Sequence, residues 1–143
     1  SSSADSLSCS AAVLAAERGE EEAVLAWLEG GGRADATYER GDVSGITLLT
    51  TAAANGHERV VDLLLRHGAE IDLQDSRGCT ALMGAAGNGY KRVVEFLLKH
   101  GAEINLQANE GGAALMSAGN NGHERVVKLL LLRGADVTLQ DSK

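Results

Sequence analysis

The side chains best suited to nucleophilic, acid–base or metal chemistry are four histidines and two cysteines. His57 and His123 each follow a glycine, and His67 and His100 each precede one, so their placement is periodic. Zinc ligands come as closely spaced Cys or His pairs, and no such pair occurs. The periodicity favours a structural role for the histidines over ligation. Cys9 and Cys79 each stand ten residues before a glycine, at Gly19 and Gly89. They therefore occupy one position in two different units. Stacked helices lie about 8–10 Å apart, so two steps separate the thiols by roughly 20 Å, whereas a disulfide needs Cα atoms within about 7 Å. Both are expected to be free, which suits a reducing, intracellular compartment, cytoplasmic or nuclear. Gly30-Gly31-Gly32 is no phosphate loop, because no strand precedes it and no Lys-Ser follows. Asn55, Asn88 and Asn121 form a periodic ladder that could serve a ligand, but each precedes a glycine, and helix termination accounts for them better. The sequence thus points to no catalytic, cofactor-binding or metal-ligating residue.

The period itself carries the organisation. Gly56, Gly89 and Gly122 recur at a step of 33, as do Gly45, Gly78 and Gly111, and Gly68, Gly101 and Gly134. Periods of this size mark stacked supersecondary units that bury their apolar faces only against one another. Each unit reads as two short helices, in one case Thr80 to Asn88 stopped by Gly89 and Lys91 to His100 stopped by Gly101. Val93, Val94, Leu97 and Leu98 make one apolar stripe. Lys91, Glu95 and Lys99 lie opposite and read as a solvated face. Asp62 before Arg66, Glu95 before Lys99 and Glu124 before Lys128 are four apart, each pair adding roughly 0.2–0.5 kcal/mol. The first helix is small and apolar (Ala81, Leu82, Ala85, Ala86), so it can lie close between neighbours. Ile71, Ile104 and Val137 then alternate with polar residues, as in a short hairpin arm.

These units resemble ankyrin repeats. The family pattern D-x-x-G-x-T-P-L-H-x-A-A-x-x-G-H-x-x-V-V-x-L-L-L-x-x-G-A-D-V-N is matched by DSRGCTALMGAAGNGYKRVVEFLLKHGAEIN, in three phased copies covering nearly the whole chain. The resemblance implies an all-α solenoid of four helix-turn-helix units with projecting β-hairpin loops. It departs from the pattern where the family's Pro is Leu48, Ala81 and Ala114, and where its His is Thr50, Met83 and Met116. Unit four also lacks the Thr, at Ala113. In the family that Thr and His tie loops together, so some rigidity should be lost. By the same resemblance, partner contacts fall at the variable positions. In unit two these are Val43, Ser44, Ile46, Ala54 and Asn55. In unit three they are Ser76, Arg77, Cys79, Gly87 and Asn88. In unit four they are Asn109, Glu110, Gly112, Asn120 and Asn121. Asn105 holds the hairpin asparagine position that resembles known targets of intracellular asparagine hydroxylation. An ordinary hydrogen-bonding role is the alternative there.

The 143 residues form one domain's worth of chain. Unit one spans about 5–41, and the regular units 42–74, 75–107 and 108–140 follow. Residues 141–143 align with the opening of unit three and start a fifth unit. Ser1 to Ser8 is polar and expected to fray. Residues 1–40 carry eight acids against three bases, a net of −5, as a polar capping unit should. Trp27 stands where other units have leucine and takes a core position. Gly31 to Gly45 is 14 residues where Gly68 to Gly78 is 10. Tyr38 falls in the extra stretch and is expected to project from a hairpin tip, as a contact or as part of a tolerated insertion. Unit four carries Gly119 inside its first helix, and a mid-helix glycine costs about 1 kcal/mol. Leu129, Leu130 and Leu132 are expected to offer an uncapped apolar side to a following unit or to a second copy.

Aromatic residues are only 3%, leaving no stacking platform for bases. A net charge of −7 argues against nucleic acid and anionic membrane, and mildly favours basic or neutral partners. No apolar run is long enough to span a membrane. The leading expectation is a non-catalytic module binding a partner protein or peptide. The alternatives are a spacer or self-associating scaffold, and a regulatory or targeting segment of a larger enzyme.

Overall fold

The computed structural model describes residues 9–139. Within them eight helices form four pairs: α1 (Cys9–Arg18) with α2 (Glu21–Glu29), α3 (Leu48–Ala54) with α4 (Glu58–Arg66), α5 (Ala81–Gly87) with α6 (Lys91–Lys99), and α7 (Ala114–Asn120) with α8 (Glu124–Leu132). The first helices pack in one row, α1 on α3 on α5 on α7, and the second helices in another. The core is the seam between the rows. Ala81, Leu82, Ala85 and Ala86 are buried from one side and Val93, Val94 and Leu97 from the other. Capping follows the sequence. The Thr47 hydroxyl accepts the Thr50 N–H at 3.0 Å, and the Thr80 hydroxyl accepts the Met83 N–H at 3.3 Å. Ala113 occupies the same extended cap position with no side-chain bond to offer.

Neighbouring units are joined by three recurring contacts. At the first, an aromatic ring of one unit covers a glycine of the unit before it. A Cβ on Gly19 would lie 2.5 Å from the His57 ring, on Gly56 2.7 Å from Tyr90, and on Gly89 2.5 Å from His123. Those glycines are needed twice, for this space and for their left-handed φ of 75 to 79°. At the second, Asn88 donates to the Ala54 carbonyl at 2.9 Å and Asn121 to the Gly87 carbonyl at 2.8 Å. At the third, the side chains of Asp35, Asp72 and Asn105 accept the N–H of Glu70, Glu103 and Asp136 at 3.0, 3.1 and 2.8 Å. The histidines are accounted for here too. His57 Nε2 donates to the Glu17 carbonyl, and His67 and His100 bond carbonyls of their own helices.

Several expectations are corrected. The strand ladder forms at one loop only among the described residues. There β1 (Thr37–Arg40) pairs antiparallel with β2 (Val43–Thr47), Tyr38 opposite Ile46. The extra residues supply the length for β1, whereas the shorter loops close as turns, with Gly78 N–H on the Asp75 carbonyl and Gly111 N–H on the Ala108 carbonyl. Tyr38 does not project from the tip. Its alternation with Thr37 turns it inward, and its hydroxyl bonds the Thr51 hydroxyl on α3. Trp27 is half-buried rather than in the core, and it covers Gly32, where a Cβ would lie 2.2 Å from the indole. Leu129 and Leu130 are buried within unit four, while Leu131 and Leu132 are exposed, Leu132 by 85%. Of the three intrahelical charge pairs, Asp62–Arg66 closes at 3.1 Å. Among the described residues the other ion pairs run between segments, including Arg59–Glu21 and Arg92–Glu58. Exposed pairs of this kind are worth under about 1 kcal/mol. The expectations for residues 1–8 and 141–143 lie outside the described residues.

Candidate functional site: a groove along the first helices

The loop tips stand beside the row of first helices and leave a groove of about 640 Å³ crossing units one to four. A second hollow of about 340 Å³ continues it between the tips of units three and four. Helix periodicity decides what lines it. Thr50, Thr51, Ala54 and Asn55 are at i, i+1, i+4 and i+5 of α3, one face of the helix. The same register in α5 is Met83, Gly84, Gly87 and Asn88. In α7, Met116, Ser117, Asn120 and Asn121 follow.

Most of the expected contact residues are brought together here. Tyr38, Ile46, Ala54, Asn55, Arg77 and Cys79 line the larger groove, as do Gly87, Asn88, Asn120 and Asn121. Asn109, Glu110 and Gly112 line the second hollow. Val43, Ser44 and Ser76 line neither. Ser44 and Ser76 instead stitch two tips together, Ser76 N–H to the Ser44 carbonyl at 2.8 Å and Ser44 N–H to the Ser76 hydroxyl at 2.9 Å. Among the lining residues that the expectations missed are Glu17, Arg40, Met83, Met116 and Ser117. The signal for the last three was present: extending the Ala54/Asn55 register back one turn reaches them.

The charges in the groove are balanced. Arg40 meets Glu17 at 2.6 Å and lies 5.6 Å from the centre of the Tyr38 ring. The hydrogen bond to Glu17, helped by Tyr38, raises the Arg40 pKa further. Asp75 accepts the N–H groups of Arg77 and Cys79 at 2.8 and 3.1 Å. Burial, helped by the Asp75 carboxylate and opposed by Arg77, pushes the Cys79 thiol above its ordinary pKa. The arrangement offers a shaped surface with hydrogen-bonding groups along it. Among the described residues no three His, Cys, Asp or Glu side chains cluster to hold a metal ion. No described helix is long and apolar enough to cross a membrane.

Paired helices stacked in register, with turns presented along one side, define a helical-repeat solenoid. A family model described as ankyrin repeats (3 copies) matches residues 12–108 and 77–141, and the chain belongs to the ankyrin-repeat family. No curated protein matches it. Ankyrin repeats are in general protein–protein interaction modules.

Proposed function

We propose that this chain is a non-catalytic module that binds a partner protein or peptide in the groove between its loop tips and first helices. The observation that carries this reading is the continuity of that groove across all four units, floored by the small residues Ala54, Gly84 and Gly87. The net charge of −7 is a poor guide to the ligand. The exposed acids Glu20, Glu21, Glu22 and Glu29 of unit one do not line the groove. The groove's own charges are Glu17, Asp75, Arg40 and Arg77, which fits a neutral or mixed-charge ligand better than a strongly basic one. Gly87 has ordinary helical backbone, and a Cβ there meets its nearest neighbours at 3.6 Å, so Gly87→Arg fills the groove without strain. A partner isolated with the wild-type chain should be lost by Gly87→Arg and kept by Lys91→Ala on the far face. Retention by Gly87→Arg, with loss on changing Glu95 or Lys99, would place the ligand elsewhere.

Exposed Leu132 and Val137, 85% and 66% accessible, favour self-association as a second reading. Sedimentation of the wild type against Leu132→Lys tests it: a monomer in both removes it. At Asn105 the side-chain oxygen is used in the loop contact to Asp136. Hydroxylation there remains a proposal, and intact-mass and peptide mapping of protein from cells, showing no added oxygen, would discard it.

A further inference from the structure

Most polar side chains lining the groove are already committed to the fold. Asn55, Asn88, Asn109 and Asn121 each donate to a main-chain carbonyl. Tyr38 bonds Thr51, Thr47 bonds Thr50, and Arg40 is paired with Glu17. Three side chains are different. The guanidinium of Arg77 has no ion-pair or hydrogen-bond partner among the described residues, and neither the Ser117 hydroxyl nor the Asn120 amide has a hydrogen bond there. All three line both the main groove and the second hollow. A buried donor or acceptor left unmade is costly, whereas an exposed one is free to bond a ligand. The spare groups therefore mark a single location, the junction of units three and four.

That junction is also where the sulfur lies. Met83 and Met116, the chain's two methionines, line the 340 Å³ hollow together with Cys79. Thioethers are polarisable and adaptable, and they make favourable contacts with aromatic edges. At about 340 Å³ the hollow lies at the small end of ligand pockets, room enough for one large side chain.

Resting on the groove reading above, we infer that the junction of units three and four is the anchor subsite, which takes an extended peptide segment. One large apolar residue, aromatic by preference, enters between Met83 and Met116, and a carboxylate close to it in sequence pairs with Arg77. An extended segment is required because Ser117 and Asn120 offer donors and acceptors to main-chain amides, which a helix would already have used internally. The carboxylate is required because Arg77 is a planar donor without an acceptor, and Arg40, the other cation in the groove, is occupied by Glu17.

The test is selection of a random dodecapeptide display library on the intact chain, followed by titration of the enriched peptides. The expected result is a consensus of one Phe, Leu, Met or Trp near an Asp or Glu. Arg77→Glu, Asn120→Ala and Met116→Lys should each weaken it roughly tenfold or more. Arg77 and Asn120 are exposed, so their variants should melt with the wild type and separate lost binding from lost fold. Peptides that lack this pattern, or that keep their affinity in Arg77→Glu and Asn120→Ala while losing it in Gly87→Arg, would overturn the anchor and leave the groove. Enrichment of nothing, or of peptides indifferent to Gly87→Arg, would overturn both.

Discussion

Unit three and unit four carry nearly the same pattern, yet they are held very differently. Unit three is joined on both sides. Asn88 reaches back to Ala54 and Asp72 accepts Glu103, while Asn121 reaches in to Gly87 and Asn105 accepts Asp136. Its first helix is capped by Thr80, and the ring of His123 covers Gly89. Among the described residues, unit four has the inner set of these contacts only. Ala113 caps nothing, a Cβ on Gly122 would meet no atom within 4 Å, and Leu131 and Leu132 face outward. A repeat's stability is a sum of its own propensity and its interfaces, so near-identical sequence need not mean equal stability. Unit four is also where the uncommitted groove side chains Ser117 and Asn120 lie. Fewer internal obligations leave more groups for a ligand.

The largest effect that would sharpen this contrast comes from paired leucine truncations. Leu97→Ala removes a fully buried side chain in unit three and should cost about 2–5 kcal/mol in denaturant unfolding. Leu132→Ala, at a mostly exposed site, should stay within about 0.5 kcal/mol. Equal costs would break the contrast. Next come the glycines. Gly89→Ala and Gly122→Ala share the left-handed backbone penalty of about 1–2 kcal/mol. Only Gly89→Ala also drives a methyl into the His123 ring, so it should be worse by a further 1–3 kcal/mol or so. A smaller change concerns the caps. Thr80→Ala should destabilise and Ala113→Thr stabilise, each by about 0.5–2 kcal/mol, read as shifts in the unfolding midpoint. An Ala113→Thr variant no more stable than wild type would remove capping from the account of unit four's weakness.

The smallest effect is chemical. Cys79 has Gly112 as its counterpart in unit four, so of these two units unit three alone places a thiol in the groove. Its pKa is raised by burial first and by Asp75 second. The neutral thiol is thus the form the fold favours. That preference is fully present below the ordinary thiol range and is lost as pH climbs through the raised value. Since the thiolate is the nucleophile, iodoacetamide should alkylate Cys79 more slowly than a free cysteine peptide at neutral pH, the gap closing in alkali. Faster alkylation than the peptide would show the groove to be less enclosed than its lining implies.

The features that sequence revealed were those where the backbone leaves a residue no alternative. The positions of Gly56, Gly89 and Gly122 had to be glycine, so the period and the helix ends were readable from them. The apolar stripe Val93, Val94, Leu97, Leu98 was readable because the helical period is fixed. Tyr38 was misplaced because the direction of a strand residue depends on register, and a shift of one reverses it. The hairpin at each loop failed for a related reason, since pairing needs strand length that only the longer loop provides. Leu129 was assigned to the exposed side although it lies three residues after Val126 and shares its buried face. The division of the asparagines was beyond sequence altogether. Asn120 and Asn121 are the same residue one position apart, about a quarter-turn of helix, and only coordinates show that both line the groove while Asn121 alone donates to the Gly87 carbonyl.

The central claim is that unit four, joined through its inner contacts and uncapped at Ala113, is held less firmly than unit three. Native-state hydrogen exchange on the 143-residue chain addresses it directly. Amides of α7 and α8, residues 114–132, should exchange by a lower-energy local opening than those of α5 and α6, residues 81–99, which should approach the global unfolding limit. Equal protection of the two segments would contradict it.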